Sequence, residues 1–204
     1  MTAPSIPRRE ADEAVDRFVA DITRVCRTDN GARAALRRGL GRPAALNGMH
    51  ATVVRYLPRG LRDHQETAYY SVAAMIATAT RNSSGEPATT PDGTTEPAPP
   101  ALPANLGATI AYAATRPGHR VMSPDTAEKR LQLLVRQSAP NQLLIGVVRQ
   151  LIAGRIPISW GQLLNDLCDW RYQRDRIAKT WLQSYYRTLD DLNRTIVTNP
   201  EDQA

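Results

Sequence analysis

Lysine is almost missing from this chain of 204 residues: only Lys129 and Lys179 accompany its arginines. An Arg-biased genome produces that ratio as readily as function does, so it excludes little by itself. Cysteine is scarce too. Cys26 and Cys168 each sit inside an apolar helical pattern, which argues against a disulfide framework and for buried thiols in a reducing compartment. His50, His64 and His119 are scattered, with no pair at ligand spacing, so no metal is expected. No run approaches the roughly 20 apolar residues that cross a bilayer, and the first residues lack the apolar stretch of a secretory signal. The expectation is a cytoplasmic protein with no membrane partner. A nucleophile elbow, a phosphate-cradling glycine loop and an H-E-x-x-H helix are all missing, so neither an enzyme nor a cofactor is expected.

Acidic side chains are rare in one place. Residues 26–62 hold eight arginines and a single acid, Asp29, for a local charge of +7 against +6 for the whole chain. A second basic island, residues 116–155, carries +5, and every other segment is neutral or mildly acidic. Guanidinium is always charged and presents a planar fork that fits phosphate oxygens two at a time. Two separate islands in a chain of pI near 9.7 therefore suggest a nucleic-acid backbone, while an anionic membrane surface or an acidic protein would be met by the same charge. Base stacking would need exposed aromatics interleaved with the bases. The block 26–62 offers only Tyr56, which leaves backbone contact as the expected mode.

Hydrophobic spacing predicts an all-α fold, a helical bundle of about eight or nine helices in one body or in two packed helical halves. Val15, Phe18, Val19, Ile22, Val25 and Cys26 recur at steps of three and four, one stripe of a first helix. Asp29-Asn30-Gly31 caps a short helix whose expected exposed face carries Arg33, Arg37 and Arg38. Another turn or two is expected from Met49 to Leu57. Asp63-His64-Gln65-Glu66 reads as a capping box, Asp63 accepting a backbone donor and Glu66 reaching back; the helix it opens turns Tyr69, Val72, Ala73, Ile76 and Ala79 inward. Residues 82–104 are rich in Pro and Thr, hold no base and read as a disordered loop, dividing an N-terminal half (8–81) from a C-terminal half (105–198). Helical pattern resumes at residues 105–116. Ser123-Pro124 opens a further helix that exposes Lys129, Arg130 and Arg136; the next, residues 141–153, exposes Arg149. Ser159-Trp160-Gly161-Gln162 reads as a second box before a helix with Leu163, Leu164, Leu167 and Trp170 on one face. The last helix, about residues 175–198, carries Ile177, Trp181, Tyr185, Leu189, Leu192 and Ile196.

Little in this pattern suggests catalysis. Asp166 and Asp169 lie three apart, a spacing that in principle suits a metal or an acid–base pair, but they are expected on the solvated side of the helix whose other side bears Leu163 and Leu167. Asp190-Asp191 reads the same way. His64 is expected at a cap or in the core, and Trp160, Trp170 and Trp181, with Tyr185 and Tyr186, are expected to pack in the core.

Several segments in order resemble the CasB family, the small subunit of the type I-E CRISPR Cascade complex. They are Asp29-Asn30-Gly31 with Leu36-Arg37-Arg38, then His64-Gln65, Glu128-Lys129-Arg130-Leu131 with Leu134-Val135-Arg136, and Ile158-Ser159-Trp160 with Leu163-Leu164-Asn165-Asp166-Leu167 and Trp170. The likeness spans most of residues 15–186. It implies an all-helical, non-catalytic subunit, present in two copies, whose partners are other Cascade subunits, CRISPR RNA, target DNA and a second copy of itself. Such proteins help hold the RNA and target strand and stabilise the displaced strand of the R-loop. On this resemblance Arg37, Arg38, Arg62, Lys129, Arg130 and Arg136 are the expected phosphate contacts, with Arg55 and Arg149 as further candidates. The residues alone leave open a helix-turn-helix DNA-binding protein and an interaction module whose arginines meet acidic protein surfaces.

Overall fold

The expected amphipathic stripes all become helices. The computed structural model describes residues 8–41, 48–80, 102–115 and 121–198, and these form eight α-helices and no strand. In chain order they are α1 (Arg8–Thr28), α2 (Asn30–Arg38), α3 (Gly48–Val53), α4 (Asp63–Ala79), α5 (Leu106–Thr115), α6 (Pro124–Arg136), α7 (Asn141–Ala153) and α8 (Trp160–Thr198). The all-α reading holds. Residues 82–101 of the expected disordered loop lie outside the described residues, as does the side chain of Ile196.

Local chemistry explains most boundaries. Asp29 Oδ1 accepts from the Ala32 N–H at 2.9 Å and starts α2. Ser123 Oγ accepts from the Thr126 N–H at 3.2 Å with Pro124 in the first turn, starting α6. The box at α4 sits one residue earlier than expected: Arg62 is the cap residue, and Gln65 Oε1 accepts from its N–H at 3.1 Å. Arginine has no acceptor to complete the pair, so only the returning half of the box caps the helix. At α8 the expected return of Gln162 to Ser159 is replaced by a forward bond, Gln162 Nε2 to Asp166 Oδ1 at 2.9 Å. The end of α7 is a Schellman turn: Ile156 N–H reaches Leu151 O and Arg155 N–H reaches Ile152 O, with Arg155 itself at φ 53° in the left-handed site that glycine usually takes. Gly154, one residue earlier, lies against Val121, where a Cβ would collide.

Two helices expected at 159–170 and 175–198 are one, bent at Gln173 (φ −127°, ψ 24°). No glycine or proline lies there to end the first, so the chain absorbs the break as a kink. α8 packs along α5 and touches α1, α4 and α6, while α4, buried nearly all round from Ala68 to Ala77, packs on α1, α2 and α7. One hydrophobic cluster joins all eight helices.

The tightest approach is between α5 and α8. A Cβ at Gly107 would collide with the Trp181 carbonyl, which is backbone and cannot step aside. Gly107→Ala is therefore expected to lose about 1–3 kcal/mol by overpacking, despite alanine's better helix propensity. Denaturant unfolding checks it; a stabilised variant would show that α5 can shift.

Candidate nucleic-acid interface

The structure places Arg37, Arg38, Arg55, Arg62, Lys129, Arg136 and Arg149 on the surface and Arg130 half-buried. Arg37 and Arg38 end α2, which packs on α3, with Arg55 two residues beyond; Arg62 caps α4. The second group lies on α6 and α7. The chain of packed pairs runs α2 to α4, α4 to α7 and α7 to α6, and Gly41, just after α2, accepts a long 3.5 Å bond from Gln142 of α7. α7 thus joins the islands. Among the described residues Arg37, Arg38, Arg55, Arg62, Arg130, Arg136 and Arg149 form no ion pair, so each fork has its donors available to phosphate. Lys129 differs: its Nζ is 2.8 Å from Asp125 Oδ2, both side chains about 70% exposed, a pair that water screens and phosphate can displace.

Arg33 corrects an expectation. Rather than facing solvent beside Arg37, it is 8% exposed, and its Nε and Nη1 have no partner among the described residues. The spacing explains it, because Arg33 and Leu36 are three apart and fall on the same buried face of α2.

Asp166 corrects another. It is buried, accepting from Trp181 Nε1 at 2.6 Å and from Gln162 Nε2. Burial raises its pKa while both hydrogen bonds hold the shift back. This carboxylate ties the two arms of the kinked α8 together and is not half of a surface acid pair. Asp169 is half-exposed, with Arg176 at 3.8 Å. Tyr186 is 42% exposed rather than in the core, its hydroxyl donating to Glu128 Oε1 at 2.8 Å; Trp160 is half-buried. Cys26 and Cys168 are free and buried, which raises their pKa to about 11 and about 12 and keeps both thiols protonated and unreactive.

One surface feature escapes the segment-by-segment charge. Tyr172 of α8 is 63% exposed, with Arg62 5.6 Å and Arg171 5.9 Å from its ring centroid. His64 of α4 meets the same ring edge to face, centroids 5.4 Å apart. A groove of about 370 Å³ beside it is lined by residues that include His64, Ser138, Trp170 and Arg171. A second depression, about 480 Å³, continues along residues 170–176 from Ser138. Burial first, then the Arg171 and Arg62 charges, lower the His64 pKa, so the ring is neutral at pH 7. The signal was the run Arg171-Tyr172-Gln173-Arg174-Asp175-Arg176, which the net charge of its long C-terminal segment hides.

Among the described residues no three of His, Cys, Asp and Glu are grouped to hold a metal, and no helix is long and apolar enough to cross a membrane.

A family model described as CRISPR-associated protein Cse2 matches residues 32–186. A chain of a CRISPR RNA-guided surveillance complex is 30% identical, with a TM-score of 0.71, over 90% of this chain and 98% of that one. A chain of such a complex in a pre-nicking state agrees equally well, 30% identical with a TM-score of 0.71 over 91% of this chain and 98% of that one. The crystal structure of M. ruber CasB, 23% identical with a TM-score of 0.63 over 91% of this chain and 97% of that one, shares the fold. No curated protein matches the sequence.

Proposed function

The chain belongs to the CRISPR-associated Cse2 family, and from that premise we propose that it is a non-catalytic small subunit of a type I-E Cascade ribonucleoprotein, gripping nucleic-acid backbone. The observation that carries the reading is the set of exposed arginines without ion-pair partners on α2, α6 and α7 and at the start of α4. In such a complex guide pairing supplies sequence choice, so a subunit that steadies the opened duplex needs positive charge and shape rather than base-edge donors. Exchange of DNA duplex for RNA–DNA heteroduplex is close to balanced, and a few phosphate contacts tip it. Arg37, Arg38, Arg62, Lys129, Arg130 and Arg136 make those contacts, with Arg55 and Arg149 beside them. The strands held are CRISPR RNA, target DNA and the displaced strand. Other Cascade subunits and a second copy of this chain are its protein partners.

The test is charge reversal. Arg37→Glu with Arg38→Glu is expected to leave assembly with the other subunits intact, lower target-DNA affinity by about tenfold or more, and flatten its salt dependence by about two phosphates' worth of slope. Full affinity with an unchanged slope would reject the assignment. Selection of one duplex sequence by the purified chain would instead favour a helix-turn-helix mode.

A further inference from the structure

We propose that Tyr172, with the Arg62 and Arg171 guanidiniums close to its ring, is a stacking platform for one unpaired base of a nucleic-acid strand, with the groove beside His64 receiving the base edge. The inference rests on the nucleic-acid reading of the basic islands and adds a base contact to it.

Three observations converge. Tyr172 is an aromatic ring left mostly in solvent, where a core tyrosine would be covered. Both neighbouring guanidiniums lie within 6 Å of its centroid, so a flat ring with an attached anion meets a π-face and two cations together. A nucleotide has that combination of parts. The third observation is an unpaired polar atom. His64 Nε2 is buried without a partner among the described residues. Leaving it unsatisfied is costly. A base edge in the groove that His64 lines carries both donors and acceptors and supplies the missing partner. The site is composite: Arg62 and His64 come from the start of α4, Arg171 and Tyr172 from α8 just before its kink at Gln173. Asp166, bonded to Trp181 across that kink, holds the bend beside which Tyr172 stands.

The test uses the full chain and a labelled single strand, as DNA and as RNA, either intact or with an abasic site placed at successive positions. Tyr172→Ala is expected to weaken binding of the intact strand about tenfold, the size of one stacked base, with the salt slope unchanged, while Tyr172→Phe stays within about twofold. At one position the abasic strand should bind the natural chain as weakly as the intact strand binds Tyr172→Ala, and that variant should ignore the abasic site. Equal affinity of Tyr172→Ala and the natural chain for the intact strand overturns the platform. So does a Tyr172→Ala defect confined to assembly with protein subunits. If salt-sensitive strand binding persists while Tyr172 is indifferent, only this inference falls; if the natural chain shows no salt-sensitive binding, the nucleic-acid reading falls with it.

Discussion

Alanine in place of Trp181 is expected to cost about 5 kcal/mol, a third or more of the stability of a typical domain. Trp181 is fully buried, packs against Trp170 with ring centroids 5.0 Å apart, and donates to Asp166. Truncation opens a large cavity at the seam of α5 and α8, which is worth about 3–5 kcal/mol alone. It also strips a buried carboxylate of one of its two side-chain donors, adding about 1–3 kcal/mol. Trp181→Phe separates the two effects, since it keeps most of the volume and loses only the donor; a cost of about 1–3 kcal/mol is expected. Asp166→Leu with Trp181→Phe should then recover part of that loss, because removing both polar partners leaves neither unsatisfied. Denaturant unfolding measures all three. A Trp181→Ala cost below about 2 kcal/mol would mean that the two arms of α8 are not held at this joint.

That joint shows how far the sequence could be read. Helical period placed Leu163, Leu167, Trp170, Ile177 and Trp181 inward, and all five are buried. Period alone cannot show that Asp166, on the flank of the same stripe, has a tryptophan donor fifteen residues later to bond with. Arg33 went wrong for the same reason: burial of a charge depends on which helices close over it, and α2 is covered from several sides. Caps were legible where a side chain contacts its own turn, as at Asp29 and Ser123. The fork-bearing arginines were legible as charge, and the structure confirms their exposure, apart from the half-buried Arg130. Tyr172 was not, because its significance depends on Arg62 and His64 arriving from a helix over a hundred residues earlier.

Reversing both islands at once, Arg37→Glu and Arg38→Glu with Lys129→Glu and Arg130→Glu, is expected to lower single-strand affinity by about a hundred- to a thousandfold. The figure assumes that one strand crosses both islands. The packed path from α2 to α6 runs through α4 and α7, three steps of about 8–10 Å each. Sites this far apart with no shared partner add in free energy, so the loss should be the product of the losses for each pair. The two pairs should not contribute equally. Arg37 and Arg38 are free of ion pairs, whereas Lys129 must give up Asp125 to meet a phosphate, so its attraction is partly spent before binding. Reversal at 129 also sets two like charges facing each other one helical turn apart, a small repulsion that Lys129→Gln avoids. The salt slope of the combined variant for a single strand should fall by about three, against about one and a half for the Arg37 and Arg38 pair alone. If instead the combined variant binds no more weakly than the worse of its two pairs, the islands serve different ligands. The backbone-tracking surface would then divide at α7.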